Sequence, residues 1–300
     1  MKNIILYTFI FLTCIGQAQD DAAFRAGMDE AINGNHKKAI ALFNVALKTN
    51  PLSPTIYTER SSSFLKTGNQ AAALKDLNKA LKIDSNFIGA YFIRGNIHYR
   101  NRNYTKAIAD YNRAIDLNQS DAKLFYNRAN VYYAMGDATL ALEDFSSAIQ
   151  LNPSHTHAYK NRAILHFKEG NYNSAIEDYN KVLEKNKNNP SAWFYRGRAK
   201  QLTKDFTGAA ADFDNAIIIN PNYSKAILNR AICRFEMKAY KKSIADCNKI
   251  LKKKSNDKIA LYYRGLAKIQ LGNKQSARDD LKKSGQLGYN TAFEELKKHF

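Results

Sequence analysis

The chain has 300 residues, 45% of them hydrophobic, and carries a formal charge of +19 from 46 Lys+Arg against 27 Asp+Glu. That apolar content excludes a disordered polymer, and 14 glycines with 5 prolines disfavour an architecture of short strands and tight turns. The positive balance bears on solubility and on partners of opposite sign, and says nothing of fold.

Residues 1–18 read as an export leader. Lys2 is the positive start, Ile4 to Ile15 the apolar stretch and Gly16-Gln17-Ala18 the small-x-small cleavage signal. The stretch falls short of the ~20 residues that span a bilayer. Cleavage after Ala18 would leave a periplasmic or secreted chain beginning at Gln19. The alternative is lipid anchoring through Cys14, although Phe11-Leu12-Thr13 before it match that signal poorly. No second apolar span follows.

From Asp20 onward the chain repeats every 34 residues without insertion, in segments 20–53, 54–87, 88–121, 122–155, 156–189, 190–223, 224–257 and 258–291. Position 8 is always small: Gly27, Ser61, Gly95, Ala129, Ala163, Gly197, Ala231 and Gly265. Position 20 is Ala in seven segments and Ser243 in the other. Position 24 is large and apolar or aromatic in seven (Phe43, Leu77, Tyr111, Phe145, Tyr179, Phe213, Leu281), with Cys247 the exception. These spacings put positions 4, 8 and 11 on one face of a first helix and 20, 24 and 27 on one face of a second. Small residues let the two backbones approach, and the bulky one fills the space beside them. Gly34, Gly68, Gly136, Gly170 and Gly272 at position 15 predict the turn between the helices. Pro51, Pro153 and Pro221 at position 32 help to stop the second helix. In 292–300, Ala292, Phe293, Leu296 and Phe300 share one face, which predicts a helix capping the last open surface.

The pattern resembles the tetratricopeptide repeat family over residues 20–291, and eight copies in register make the resemblance specific. It implies an all-α, right-handed superhelical solenoid of eight helix hairpins plus the capping helix. It also implies a concave groove that serves as a protein-binding scaffold rather than an enzyme.

Repeats 2 to 8 carry Arg at position 7 and Asp at position 23: Arg60–Asp76, Arg94–Asp110, Arg128–Asp144, Arg162–Asp178, Arg196–Asp212, Arg230–Asp246 and Arg264–Asp280. Repeat 1 lacks both partners together, having Ala26 and Leu42. Antiparallel helices bring the two positions opposite each other, so a ladder of bidentate ion pairs is expected, not a row of ligand-binding arginines.

Positions 2, 5, 9 and 12 of the first helix lie opposite much of the core-facing set, and in the family such positions commonly face the groove. Repeats 3 to 5 place Phe92, Tyr126 and Lys160 at position 5, and Asn96, Asn130 and Ile164 at position 9. They place Tyr99, Tyr133 and Phe167 at position 12, and Gly89, Lys123 and His157 at position 2. Asn pairs with a peptide backbone as donor and acceptor, and Tyr adds amphipathic area at low entropic cost. The candidate partner-binding residues are therefore Phe92, Asn96, Tyr99, Lys123, Tyr126, Asn130, Tyr133, His157 and Lys160, suited to an extended peptide or a partner's helix. The ordinary alternative for the position-12 aromatics is packing between repeats. Chaperone-tail-binding members of the family carry a carboxylate clamp; here its positions read Phe92/Asn96, Asn127 and His157/Asn161, without the cations.

Lys238, Lys241, Lys242, Lys249, Lys252, Lys253 and Lys254 crowd the seventh repeat, with Lys258 directly after it. They make either a solvated face or, in a second functional reading, a peripheral contact with anionic lipid or polysaccharide centred on Lys252, Lys253 and Lys254. The lysines lack the aromatic interleaving of single-strand nucleic-acid binders. Cys233 and Cys247 sit at apolar-face positions as small buried hydrophobes. The scatter of His36, His98, His155, His157, His166 and His299 makes no metal site, and no catalytic motif or cofactor loop is present.

Overall fold

The computed structural model describes residues 22–300; the leader 1–18, Cys14 and the first residues of the opening repeat lie outside the described residues. Within them the chain is helical throughout, with seventeen α-helices and no strand, in two units, one ending at Pro153 and the other Ser154–Phe300. The first unit holds α1 (Ala22–Ile32), α2 (His36–Thr49), α3 (Pro54–Lys66), α4 (Gln70–Ile83), α5 (Ile88–Arg100), α6 (Tyr104–Leu117), α7 (Ala122–Met135) and α8 (Ala138–Leu151). The second holds α9 (Thr156–Lys168), α10 (Tyr172–Lys185), α11 (Pro190–Leu202), α12 (Phe206–Ile219), α13 (Ser224–Glu236), α14 (Tyr240–Lys253), α15 (Lys258–Gln270), α16 (Lys274–Gln286) and α17 (Thr291–His299). Each odd-numbered helix up to α15 packs on the even-numbered helix after it, and within a unit each hairpin packs on the next.

The periodic positions build the core. The position-20 residues Ala39, Ala73, Ala107, Ala141, Ala175, Ala209, Ser243 and Ala277 are all 0% exposed, and the bulky position-24 side chains are 0–1% exposed. Small residues at position 8 permit this closeness: a Cβ on Gly197 would lie 2.9 Å from the Phe213 ring and 3.2 Å from the Ala209 carbonyl oxygen.

The turn after every first helix needs one left-handed residue. Gly34, Gly68, Gly136, Gly170 and Gly272 take it at φ between 79° and 87°, and the same place is held by Arg102, Lys204 and Lys238 at φ of 59°, 65° and 60°. A side chain there costs about 1–2 kcal/mol of backbone strain. Lys238→Gly should therefore stabilise the protein, by about 1 kcal/mol after the entropy cost of glycine, read as a higher melting temperature.

The ion-pair ladder is present on all seven rungs. Each arginine donates from Nε and Nη2 to the two carboxylate oxygens of its aspartate, at 2.6–3.0 Å. The aspartates are 1–5% exposed. A third contact ties neighbouring hairpins. Nη1 of Arg60, Arg94, Arg128, Arg196 and Arg264 donates to Asn44, Asn78, Asn112, Asn180 and Asn248 of the preceding hairpin at 2.6–2.7 Å, and Arg230 reaches Asp214 in the same way. Each of these arginines thus staples two helices of its own hairpin to the one before. Aromatic rings cover the guanidinium groups, as Tyr57 and Phe64 cover Arg60 at 5.4 and 5.7 Å.

At the far end α17 packs on α16 and buries Ala292, while Phe293 and Phe300 stay 42% and 43% exposed. The apolar face expected of residues 292–300 is therefore only partly covered. The Phe293 ring rests where a Cβ on Gly285 would stand, 2.6 Å away. Cys233 and Cys247 are free and buried, and burial pushes both thiols up to about 12.

Candidate functional site

Alternate first helices meet directly: α1 with α3, α3 with α5 and α5 with α7 in the first unit, α11 with α13 and α13 with α15 in the second. No pair of alternate second helices meets to that extent. First helices thus stand at the smaller radius of each unit; their position 5 is buried at Thr58, Phe194 and Tyr262 and half-buried at Phe92 and Tyr126.

In the first unit, α5 and α7 bring seven of the nine candidate residues together. Phe92, Asn96, Tyr99, Lys123, Tyr126, Asn130 and Tyr133 are all half-buried, neither sealed in the core nor free in solvent. Their undersides are engaged. Phe92 packs on Tyr111 with ring centroids 6.4 Å apart, Tyr126 on Phe145 at 5.9 Å and Tyr99 on Tyr104 at 6.2 Å, each within its own hairpin. The Tyr99 contact lies within one hairpin, whereas Phe167 reaches Tyr195 of the next hairpin at 6.2 Å.

The asparagines also have structural work, which the sequence did not disclose. Asn96 accepts a 2.8 Å bond from the Tyr111 hydroxyl, and Asn130 donates at 2.7 Å to the Tyr126 carbonyl one turn earlier. The Asn96 amide nitrogen donates to no protein group among the described residues. The recurrence of a position-24 tyrosine beside a position-9 residue was the available signal. Where position 9 is Ile164, the Tyr179 hydroxyl is buried without a partner. Removing a hydroxyl should therefore act oppositely at the two sites. Tyr111→Phe should lose about 0.5–1.5 kcal/mol, and Tyr179→Phe should be neutral or stabilising, both measured by urea denaturation.

His157 and Lys160 are exposed on α9, in the second unit. That unit carries 29 of the 46 basic residues but only 14 of the 27 acidic ones. Its last three ladder aspartates each hold a second cation: Lys200 on Asp212 at 3.0 Å, Arg234 on Asp246 at 2.6 Å and Lys268 on Asp280 at 2.7 Å. Lys252, Lys253 and Lys254 are exposed, Lys253 bonding Asn222 and Lys254 standing 3.7 Å from Asp257. A shallow depression of about 420 Å³ beside them is lined by Lys252, Arg264, Asp279 and Lys283 among others. Among the described residues no group of three or more His, Cys, Asp or Glu could hold a metal ion, and no helix is long and apolar enough to cross a membrane.

The chain matches the family described as TPR repeat over residues 62–101 and 103–136, and that described as tetratricopeptide repeat over 122–155 and 157–189. A comparison with curated proteins finds no match. Among solved structures, the C-terminal part of a TPR repeat-containing protein from Cytophaga hutchinsonii is 19% identical with a TM-score of 0.67, covering 80% of this chain and 98% of that one. PilF of Pseudomonas aeruginosa is 22% identical with a TM-score of 0.61, covering 70% and 95%. YrrB, described as a TPR protein with an unusual peptide-binding site, is 24% identical with a TM-score of 0.55, covering 62% and 95%. With these matches, the period of 34 residues and the stacked hairpins together, the chain belongs to the tetratricopeptide repeat family, whose fold is a scaffold for protein–protein interaction.

Proposed function

We propose that the protein is an exported, non-catalytic adaptor of the cell envelope that holds an extended peptide or a partner's helix against its first-helix face. The observation that carries this is the half-buried state of Phe92, Asn96, Tyr99, Lys123, Tyr126, Asn130 and Tyr133 on neighbouring helices. Side chains held from below yet open above form a preorganised surface, which lowers the entropy cost of binding. The shared fold with YrrB, a protein described as having a peptide-binding site, agrees with it. The leader 1–18 supports export.

In a peptide-array screen with the full chain, bound peptides should lose at least about tenfold in affinity on Asn96→Ala with Asn130→Ala, with circular dichroism unchanged. Adding Tyr111→Phe removes the hydroxyl that Asn96 satisfies, separating lost stability from lost binding. Unchanged affinity would move the site off α5 and α7. Mass spectrometry of the mature N-terminus reads export directly, as Gln19 or an acylated Cys14.

A second reading is peripheral binding to anionic lipid or polysaccharide through Lys252, Lys253 and Lys254. The exposed lysines and the adjoining depression favour it. Its signature is vesicle binding that collapses with salt and with all three changed to Glu.

A further inference from the structure

We infer that the first-helix face of the second unit takes an extended peptide segment bearing a carboxylate flanked by apolar side chains, with Arg198 as the anchor for that carboxylate. This rests on the reading of the first-helix face as a peptide-binding surface and names the chemistry that one part of it selects.

Three successive steps between neighbouring first helices differ in kind. From α9 to α11 the step is aromatic, with Phe167 and Tyr195 at 6.2 Å. From α13 to α15 it is aromatic again, with Phe235 and Tyr263 at 5.7 Å. The step between them, from α11 to α13, is polar. There the two corresponding positions hold Gln201 and Asn229, and Arg198 donates from Nη1 to both, at 2.8 Å each. The Asn229 amide donates in turn to the Lys225 carbonyl at 2.8 Å, which aims its oxygen at the guanidinium.

The bonds from Nη1 use one end of the guanidinium. No protein group among the described residues bonds Nη2 or Nε, and no carboxylate pairs with Arg198. The free edge is the two-donor fork that a carboxylate accepts bidentately. The arginine is half-buried and held on a neighbouring helix, so little of its entropy remains to be lost on binding. By contrast, every ladder arginine already spends Nη2 and Nε on its own aspartate.

The surroundings have the matching sign. Positions 2, 5, 6, 9 and 12 of the repeats at 156–189, 190–223, 224–257 and 258–291 contain Lys160, Arg198 and Lys225 and no acidic residue. First helices in contact stand about 10 Å apart, which an extended chain spans in about three residues. The ligand that fits is therefore an acidic side chain with an apolar one about three residues to either side.

The probe is a fluorescein-labelled, C-terminally amidated Phe-Ser-Ser-Glu-Ser-Ser-Phe, with Gln and Lys versions at the centre, titrated with the full chain by fluorescence anisotropy. The Glu peptide should bind at least about tenfold more tightly than the Gln peptide, and the Lys peptide most weakly. Arg198→Ala should bring the Glu peptide down to the Gln peptide, and Arg198→Lys should keep part of the preference. If Arg198→Ala disturbs the thermal melt, Gln201→Ala with Asn229→Ala provides the second arm, since a loosened guanidinium should weaken the Glu peptide selectively. Equal binding of the Glu and Gln peptides overturns the anchor and leaves the peptide-binding reading standing. So does a Glu preference abolished by Lys252→Glu, Lys253→Glu and Lys254→Glu but untouched by Arg198→Ala. Failure of all three peptides to bind, with Arg198-dependent binding to phosphatidylglycerol vesicles instead, overturns both.

Discussion

Arg60→Met should destabilise the protein by about 3–5 kcal/mol, and the double change with Asp76→Leu should cost less than the single one. The Asp76 side chain is 6% exposed, and among the described residues Arg60 is its one cationic partner. Removing Arg60 strands a carboxylate in a site that water barely reaches, and it also frees Asn44 on the preceding hairpin. Replacing both members by apolar side chains removes the stranded charge along with the attraction, so the net loss shrinks to packing and the lost Asn44 bond. Urea denaturation followed by circular dichroism measures the order. A single and a double variant with equal midpoints would show that the pair is exposed to solvent in solution and that the ladder carries no buried charge.

Phe213→Ala should be of similar size, about 3–5 kcal/mol, for a different reason. Its side chain is 0% exposed, lies over Gly197 and meets Phe194 with ring centroids 5.8 Å apart. The glycine has no side chain with which to refill the space, so the cavity persists. The contrast with Ile218→Ala is the control. That side chain is 76% exposed on the same helix, and its loss should be within about 0.5 kcal/mol. Comparable losses at the two positions would contradict the packing described for α11 and α12.

Much of this was readable in advance because a repeat tests itself. One segment with Gly at position 8 and Phe at position 24 is ambiguous; the same small-and-large pairing at a fixed spacing from Gly27 to Leu281 is not. The joint absence of Arg and Asp in the first repeat pointed to the ladder for the same reason. The left-handed turns were half legible. Five glycines announced them, but Arg102, Lys204 and Lys238 adopt the same backbone with no local signal, since the stacked hairpins impose the conformation. The candidate site was legible only as a set of positions. Asn96 looked unexplained in a helix interior, and the Tyr111 hydroxyl that explains part of it stands fifteen residues away on the partner helix.

The division follows from what periodicity encodes. Helix identity, hairpin pairing and the Arg–Asp partners depend on spacing within one repeat, and the covalent chain sets those distances wherever the repeat sits. The third arm of each staple, such as Arg60 to Asn44, and the bridge from Arg198 to Asn229 depend on how one hairpin is rotated against the next. That rotation comes from the shape of the whole packed interface, so only the tertiary structure decided which arginines are spent on the scaffold and that Arg198 keeps an open edge.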